Sequence, residues 1–271
     1  MPHSATPSTA PKVLVFDSGV GGLSILAELR RALPMCELVF ACDNAAFPYG
    51  TKDEETLVER VDQVLKALIR KVDPDIVVVA CNSASTLVLP RIRSHFVRPV
   101  VGVVPAIKPA AAMSQTKCIG LLATPGTVKR QYTQQLIDDF ANDCRVVRVG
   151  SSELVHLAEE KIRGKAISAE KLQEVLSPLL AETEIDTVVL ACTHFPLLKE
   201  ELSALAKPHI RWIDSGEAIA RRVHSLLPSL DTGLPEVQES LAIFTGPHDQ
   251  LDSMSIGLKN FGCTRIEIMQ V

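Results

Sequence analysis

Two apolar segments of the chain end in the same dipeptide, Ala-Cys. One covers residues 75–81 (DIVVVAC) and the other residues 186–192 (DTVVLAC). Short continuous runs of β-branched residues predict strands that are buried on both faces of a parallel sheet. Cys81 and Cys192 then fall at the carboxyl ends of two strands, where open α/β sheets place their ligands. Two thiols at equivalent strand ends could face each other across a cleft, as inversion of a carbon centre requires.

Strand and helix patterns alternate along the whole chain, which predicts an α/β fold. Strands are predicted at 12–17, 37–42, 76–80, 100–104, 117–123, 145–149, 187–191, 210–213, 240–245 and 265–269. Helices are predicted at 23–33, 52–72, from about 83, after Pro105, and at 128–140, 152–163, 168–182, 217–227 and near 250–260. Ser152 is the expected N-cap of its helix, and residues 124–127 are expected to form a turn.

The order of the elements repeats within the chain. A strand, a turn and a helix begin at Lys12 and again at Lys117, and a cysteine-bearing strand follows in each half. We predict two pseudo-symmetric, mostly parallel-sheet α/β domains with the active site in the cleft between them. Residues 12–104 and 214–271 form the predicted first domain, with Cys81, and residues 105–213 form the second, with Cys192. The last segment joins the first domain because about 55 residues make a marginal domain alone.

Composition and charge narrow the class of protein. The chain has 271 residues, of which 46% are hydrophobic and 22% charged, and its formal net charge is −4. Such a balance predicts neither nucleic acid nor an anionic membrane as a partner. No apolar run approaches the roughly 20 residues of a membrane span. Residues 1–11 are rich in Ser, Thr, Pro and Ala, and we expect a disordered tail rather than a signal peptide.

The cysteines point to reduced thiols. There are seven, an odd number, and no Cys-x-x-Cys pair occurs. A disulfide framework or a zinc ribbon is therefore not expected, nor is a metal site, and a cytoplasmic enzyme fits this usage.

The glycine-rich segment 17–22 (DSGVGG) connects a predicted strand to a helix. It is either a tight turn or a loop that lets the backbone approach an anionic ligand. The segment has neither the dinucleotide-binding glycine spacing nor a Gly-Lys-Ser/Thr, and Asp17 opposes phosphate binding. The residues alone leave both interpretations open.

The two cysteine motifs carry the strongest chemical signal. Either cysteine alone would more often be a buried packing residue, but the repetition favours a paired role. A Cys–His hydrolase would use Cys192 and His194 and leave Cys81 unexplained. On periodicity alone, Glu159 and Glu160 belong to a solvated helix face.

Taken together, these motifs resemble the cofactor-independent aspartate/glutamate racemase family. The resemblance covers nearly all of residues 12–230, with mild departures at Ser83 and Phe195. Its motifs are 16–22 (FDSGVGG), 43–44 (DN), 48–50 (PYG), 80–86 (ACNSAST), 104–106 (VPA), 123–127 (ATPGT), 192–198 (CTHFPLL) and 214–216 (DSG).

The resemblance implies interconversion of L- and D-glutamate without pyridoxal phosphate or metal, to supply D-glutamate for peptidoglycan in the bacterial cytoplasm. It makes Cys81 and Cys192 the two acid/base groups, assisted by Asp17, His194 and Glu159. The substrate-binding residues that it implies are Asp17, Ser18, Tyr49, Gly50, Asn82, Ser83, Thr193 and His194.

Thiol chemistry adds an expectation for the assisting groups. Free cysteine has a pKa of roughly 8.5, so a thiol that acts as a base needs activation. His194 can take or share the proton of Cys192. Asp17 would play the matching part beside Cys81, although a carboxylate alone opposes formation of a thiolate. We therefore expect Asp17 to act through hydrogen bonding or through proton transfer with the substrate ammonium group.

Two alternatives stay open at this point. One is an aspartate racemase of the same family, and the other is a non-catalytic protein that binds a small acid on the same fold. Some family members form homodimers or respond to a peptidoglycan precursor, and the sequence decides neither property for this chain.

Overall fold

Two parallel β-sheets organise the chain in the computed structural model, which describes residues 10–227, 234–247 and 251–271. The strands are β1 Lys12–Asp17, β2 Glu37–Cys42, β3 Ile76–Val79, β4 Val100–Gly102, β5 Cys118–Ala123, β6 Arg145–Gly150, β7 Thr187–Leu190, β8 Arg211–Ile213, β9 Ser240–Phe244 and β10 Cys263–Ile268. The helices are α1 Leu23–Ala32, α2 Glu54–Val72, α3 Asn82–His95, α4 Ile107–Met113, α5 Pro125–Lys129, α6 Gln131–Phe140, α7 Glu153–Ile162, α8 Ala169–Leu180, α9 Lys199–Leu205, α10 Gly216–Leu226 and α11 Leu251–Lys259.

The strand order shows the internal duplication. One sheet has the order β10-β9-β2-β1-β3-β4 and the other β6-β5-β7-β8, with parallel neighbours throughout the described residues. The order β2-β1-β3-β4 therefore matches β6-β5-β7-β8, while β9 and β10 extend the six-stranded sheet. We call the parts built on the six-stranded and four-stranded sheets the first half and the second half. The two-sheet α/β fold is confirmed, and the domain boundaries near residues 104 and 214 remain a proposal.

Helices cover both faces of each sheet, which explains why the central strands are apolar throughout. Val13 and Val15 of β1 face α1, α10 and α11, whereas Leu14 and Phe16 face α2 and α3. In the second half, one face of the sheet packs against α7, α8 and α9, and the other against α4 and α6. Among the described residues, no helix is both long enough and apolar enough to cross a membrane.

Several local predictions are wrong. Residues 124–127 are not a turn, because the Thr124 side chain caps α5 and Pro125 occupies its first turn, a position that suits proline. The predicted helix 128–140 is two helices, since Arg130 between α5 and α6 is extended. Helix α9 was not predicted. Residues 1–9 of the predicted tail and residue 250 of the predicted last helix lie outside the described residues.

The prediction that Ser152 is the N-cap residue of α7 is confirmed, but a neighbouring side chain makes the capping hydrogen bond. The side chain of Ser152 makes no capping hydrogen bond, whereas Ser151 Oγ accepts one from the Leu154 N–H at 3.2 Å. The two adjacent serines are indistinguishable from sequence alone. Ser152 instead contributes to the lining of the cavity that is described below.

An aspartate begins each of the two apolar segments that end in Ala-Cys, and it makes an equivalent hydrogen bond in both halves. Oδ2 of Asp75 accepts the Lys12 N–H at 2.8 Å, and Oδ2 of Asp186 accepts the Gln115 N–H at 2.7 Å. Each aspartate thus fastens the chain near the start of the adjacent central strand. The two differ in exposure, since the Asp75 side chain is half-exposed and Asp186 is buried.

We expect Asp186→Ala to lower the free energy of unfolding by about 1–3 kcal/mol, because partly buried N–H donors lose a buried acceptor. Burial opposes ionisation of Asp186, but its hydrogen bonds outweigh that effect and lower its pKa from 3.8 to about 2. A pKa that is lowered on folding stabilises above the unfolded value, so this contribution is lost as pH falls from about 3.8 towards 2. Urea unfolding as a function of pH measures it.

The matched control is Asp75→Ala, for which we expect a loss below about 1 kcal/mol because the side chain is half-exposed. Equal losses for the two variants, or a loss for Asp186→Ala that persists unchanged below pH 3, would contradict the assignment.

Candidate active site

A cavity lies between the two halves, at the carboxyl ends of β3 and β7. Its lining comes from both halves and includes both Cys81 and Cys192. The lining residues are Ser18, Pro48, Tyr49, Gly50, Thr51, Cys81, Asn82, Ser83, Thr124, Ser152, Val155, His156, Cys192, Thr193 and His194. All the predicted substrate-binding residues are among them except Asp17. Asp17 and Glu159 are buried beside this lining.

The two thiols occupy equivalent positions in different local structures. Each cysteine follows the last residue of its strand by two positions, and each is only 6% exposed. Cys81 is the N-cap residue of the long helix α3, whereas Cys192 leads into a single 3-10 turn at Phe195–Leu198. The shared sheet position brings both thiols to one cavity, and the different segments after them give the thiols different surroundings.

On the second-half side, Cys192 belongs to a chain of three ionisable groups. Its Sγ lies 3.8 Å from Nδ1 of His194, and Nε2 of His194 lies 2.9 Å from Oε1 of Glu159. Burial alone would lower the pKa of His194, but its contacts with Cys192 and Glu159 outweigh burial and raise that pKa well above the ordinary value. The imidazole is therefore held as a proton donor beside the sulfur.

Glu159 is a buried member of this chain. Burial opposes its ionisation, but hydrogen bonds from His194 and from the Val20 N–H, at 2.8 Å, keep its pKa below the ordinary value. The solvated-face interpretation is wrong for Glu159 and right for Glu160, which is partly exposed and pairs with Lys165. Helical periodicity could not separate them, because Glu159 is covered by the opposite half of the molecule.

The glycine-rich loop after β1 explains how that opposite half approaches so closely. A Cβ atom on Gly19 would lie 2.3 Å from Oε1 of Glu159, and one on Gly21 would lie 2.4 Å from Nδ1 of His194. Only glycine fits at such distances. The loop is therefore a ligand-side loop rather than a simple turn, since it supports the His194–Glu159 pair and carries Ser18 into the cavity lining.

On the first-half side, Cys81 lies beside a carboxyl group instead of an imidazole. The Ser18 hydroxyl is 3.8 Å from Sγ of Cys81 and 3.3 Å from Oδ1 of Asp17. Burial raises the pKa of Cys81 well above the ordinary value, and the charge of Asp17 raises it further. Burial also raises the pKa of Asp17 itself. The expected conflict between Asp17 and a thiolate is therefore present, and Ser18 supplies a path for a proton between them.

Polar donors surround the space between the thiols. Asn82 and Ser83 form the first turn of α3, where backbone N–H groups have no intrahelical partner and favour an anion. Nδ2 of Asn82 is buried without a hydrogen-bond partner among the described residues. A buried donor without a partner costs about 1–3 kcal/mol, which binding of a carboxylate would recover.

Six lining residues are absent from the residues predicted by the sequence analysis: Pro48, Thr51, Thr124, Ser152, Val155 and His156. Thr124 lies in one of the family-like motifs, where the sequence predicts a turn, and for Ser152 the sequence predicts only a helix N-cap. Val155 and His156 lie on α7, and no pattern in the chain marks them. Tyr49 lines the cavity, but its hydroxyl donates a hydrogen bond to Asp43.

Comparisons with known proteins agree with this geometry. The model of the Asp/Glu/Hydantoin racemase family matches residues 23–223. The chain belongs to this racemase family.

Curated relatives carry the match over almost the whole chain. A glutamate racemase of Shewanella loihica is 52% identical over 247 residues, which is 91% of this chain and 90% of the relative. One of Serratia proteamaculans is 47% identical over 272 residues, which is 100% of this chain and 95% of the relative.

A solved structure agrees as well. Escherichia coli glutamate racemase in complex with L-glutamate and the activator UDP-MurNAc-Ala superposes with a TM-score of 0.91 at 46% identity, covering 97% of this chain and 99% of that chain. The family membership and the enzyme class expected from the sequence are confirmed. The roles of individual residues in this racemase remain proposals.

We expect Glu159→Gln to lower the pKa of His194, because the substitution removes a carboxylate that raises it. NMR titration of the imidazole measures the change. A pKa raised on folding stabilises below the unfolded value of about 6.5 and ceases to do so as pH rises through the folded value. The variant should therefore be less stable than the wild type at acidic to neutral pH, with a gap that narrows at alkaline pH.

Glu160→Gln is the matched control, because Glu160 is adjacent in sequence and pairs with Lys165. An unchanged His194 titration in Glu159→Gln, or an equal change in Glu160→Gln, would refute the coupling.

Proposed function

We propose that this protein interconverts L- and D-glutamate by moving the α-proton between two thiols, Cys81 and Cys192, without pyridoxal phosphate or metal. One observation carries the proposal: two cysteines at equivalent strand ends line one cavity, and each has its own proton-carrying partners. A single cysteine could serve a hydrolase, and neither thiol would be needed by a protein that only binds its ligand.

The reaction balances within the two thiols. A thiolate on one face removes the Cα proton, and the thiol on the other face gives its proton to the opposite lobe of the resulting carbanion. The two sulfurs exchange protonation states, so each turnover leaves the site ready for the opposite enantiomer. By the family resemblance, Cys81 is the base for D-glutamate and Cys192 the base for L-glutamate. His194 serves Cys192, with Glu159 behind it, and Asp17 with Ser18 serves Cys81.

The carbanion-like transition state places negative charge on the α-carboxylate, and preorganised donors stabilise such charge. The first turn of α3 offers backbone N–H groups there, and the unpaired amide of Asn82 offers a side-chain donor. Ser83 and Thr193 add hydroxyl groups to the same lining. Because both thiols are nearly buried, little water competes for these donors.

The relatives favour glutamate over aspartate as the substrate, since the curated proteins of 46–55% identity are named glutamate racemases. In a bacterial cytoplasm the D-glutamate would enter peptidoglycan, which is the family's role.

We expect purified protein to racemise L-glutamate without added cofactor, as followed by circular dichroism, and to leave L-aspartate nearly unchanged. Cys81→Ser and Cys192→Ser should each reduce the rate by about 100-fold to 10,000-fold, because serine is a far weaker acid. Elimination from a glutamate analogue with a leaving group at the β-carbon needs only one base. The Cys81 variant should therefore retain elimination from the L-analogue, and the Cys192 variant from the D-analogue.

Cys144→Ser is the matched control, since this free thiol lies outside the cavity lining. Full activity in either cavity variant, equal elimination from both enantiomers in both variants, or a rate that disappears on dialysis against a chelator would refute the proposed mechanism.

We further propose that a UDP-linked peptidoglycan precursor regulates the enzyme, supported by the activator named in the E. coli complex. Addition of UDP-MurNAc-Ala should raise the racemisation rate at fixed glutamate, whereas UDP alone should not. An unchanged rate together with no detectable binding heat would contradict regulation of this kind. A homodimer stays an expectation of the resemblance, which sedimentation measures.

A further inference from the structure

The fully buried carboxylate of Asp43 collects four side-chain hydrogen bonds just outside the cavity. Arg60 on α2 donates to both of its oxygens, from Nη2 at 2.7 Å and from Nε at 3.0 Å. The Tyr49 hydroxyl also donates to Oδ2, and the Thr245 hydroxyl donates to Oδ1. A charge buried this deeply needs a counter-charge and good geometry, and the planar guanidinium fork supplies both.

Tyr49 connects this cluster to the cavity. Its side chain is fully buried, and its hydroxyl is committed to Asp43. Its ring lies 6.3 Å from the ring of Phe16, the residue before Asp17. The residue itself lines the cavity together with Pro48, Gly50 and Thr51. The hydroxyl of Tyr49 is therefore held by Asp43, and the same residue forms part of the cavity wall.

The segment that contains Tyr49 packs closely against the second half at Gly50. A Cβ atom on Gly50 would lie 3.0 Å from the Thr124 side chain, and one on Gly126 would lie 2.8 Å from the Gly50 carbonyl oxygen. Thr124 lines the cavity from the second half. Residues 48–51, which we call the Tyr49 turn, thus fill the space between the Asp43 cluster and the opposite wall.

We infer that Arg60, acting through Asp43 and the Tyr49 hydroxyl, is a positioning residue that sets where the Tyr49 turn holds glutamate. The inference rests on the proposed racemase function. Arg60 lies outside the cavity lining and contacts neither thiol in the described structure. Its effect should therefore fall on substrate binding rather than on proton transfer, and it should appear in KM more than in kcat.

The test is steady-state racemisation in both directions, normalised to folded enzyme, for Arg60→Gln, Tyr49→Phe and the double variant. We expect each single variant to lose about 10-fold to 100-fold in kcat/KM, mostly through a higher KM, since small misplacements in a fitted site have effects of this size. The double variant should lose no more than the worse single variant, because both changes break one connection. Arg60→Lys, which keeps the charge but not the fork, should recover part of the loss.

Arg70→Gln is the matched control, because Arg70 lies on the same helix and is exposed. A purely structural role for Arg60 would lower the unfolding midpoint while KM of the folded enzyme stays at the wild-type value, and this result would overturn the inference. Additive losses in the double variant would also overturn it.

Tyr49→Phe keeps the Arg60–Asp43 pair, so it tests the connection even where Arg60→Gln fails to fold, and an unchanged KM in that variant refutes the inference. An inactive wild type would instead refute the proposed function.

Discussion

The hydrogen bond from the Val20 N–H to Glu159 is the contact on which the site depends. It crosses between the halves at 2.8 Å, and two further bonds cross beside it: Thr193 Oγ1 donates to Asp17 at 2.7 Å, and Ser24 Oγ donates to the Thr193 carbonyl at 2.8 Å. Two groups that act on opposite faces of one carbon must come from opposite directions. The duplicated fold places one thiol on each side of the cavity, and these hydrogen bonds hold the two halves together beside it.

The same contacts affect the pKa values of Glu159 and His194. Burial opposes the ionisation of Glu159, but hydrogen bonds from His194 and from the Val20 N–H help to lower its pKa. His194 in turn has its pKa raised because Glu159 and Cys192 flank it. If the loop after β1 moved away, a buried carboxylate would lose a donor and the proton partner of Cys192 would change with it. The contact between the halves and the electrostatic environment of one acid/base group therefore depend on the same hydrogen bonds.

Most of the fold and the central pair of the site could be predicted from the chain. The repeated apolar runs that end at Cys81 and Cys192 predict buried strands of parallel sheets, because such strands are apolar throughout. The carboxyl ends of these strands predict where the site lies, because ligands bind there in open α/β sheets. The rest depends on contacts between distant segments. The burial of Glu159 needs the loop at Val20, and backbone geometry decides that the side chain of Ser151, rather than that of Ser152, makes the capping hydrogen bond of α7. His156 joins the lining only because α7 faces the cavity.

The unequal surroundings of the two thiols do not favour one enantiomer at equilibrium. Free L- and D-glutamate have the same free energy in water, so kcat/KM must be equal in the two directions whatever the protein does. The imidazole at Cys192, and the carboxyl group and helix N-terminus at Cys81, can therefore change kcat and KM in each direction, but not the equality of kcat/KM between the two directions. A helix N-terminus contributes about half a positive charge, fixed in place, whereas His194 can carry a full and transferable proton. The duplication supplied two equivalent positions, and divergence gave each thiol a different means of managing its proton.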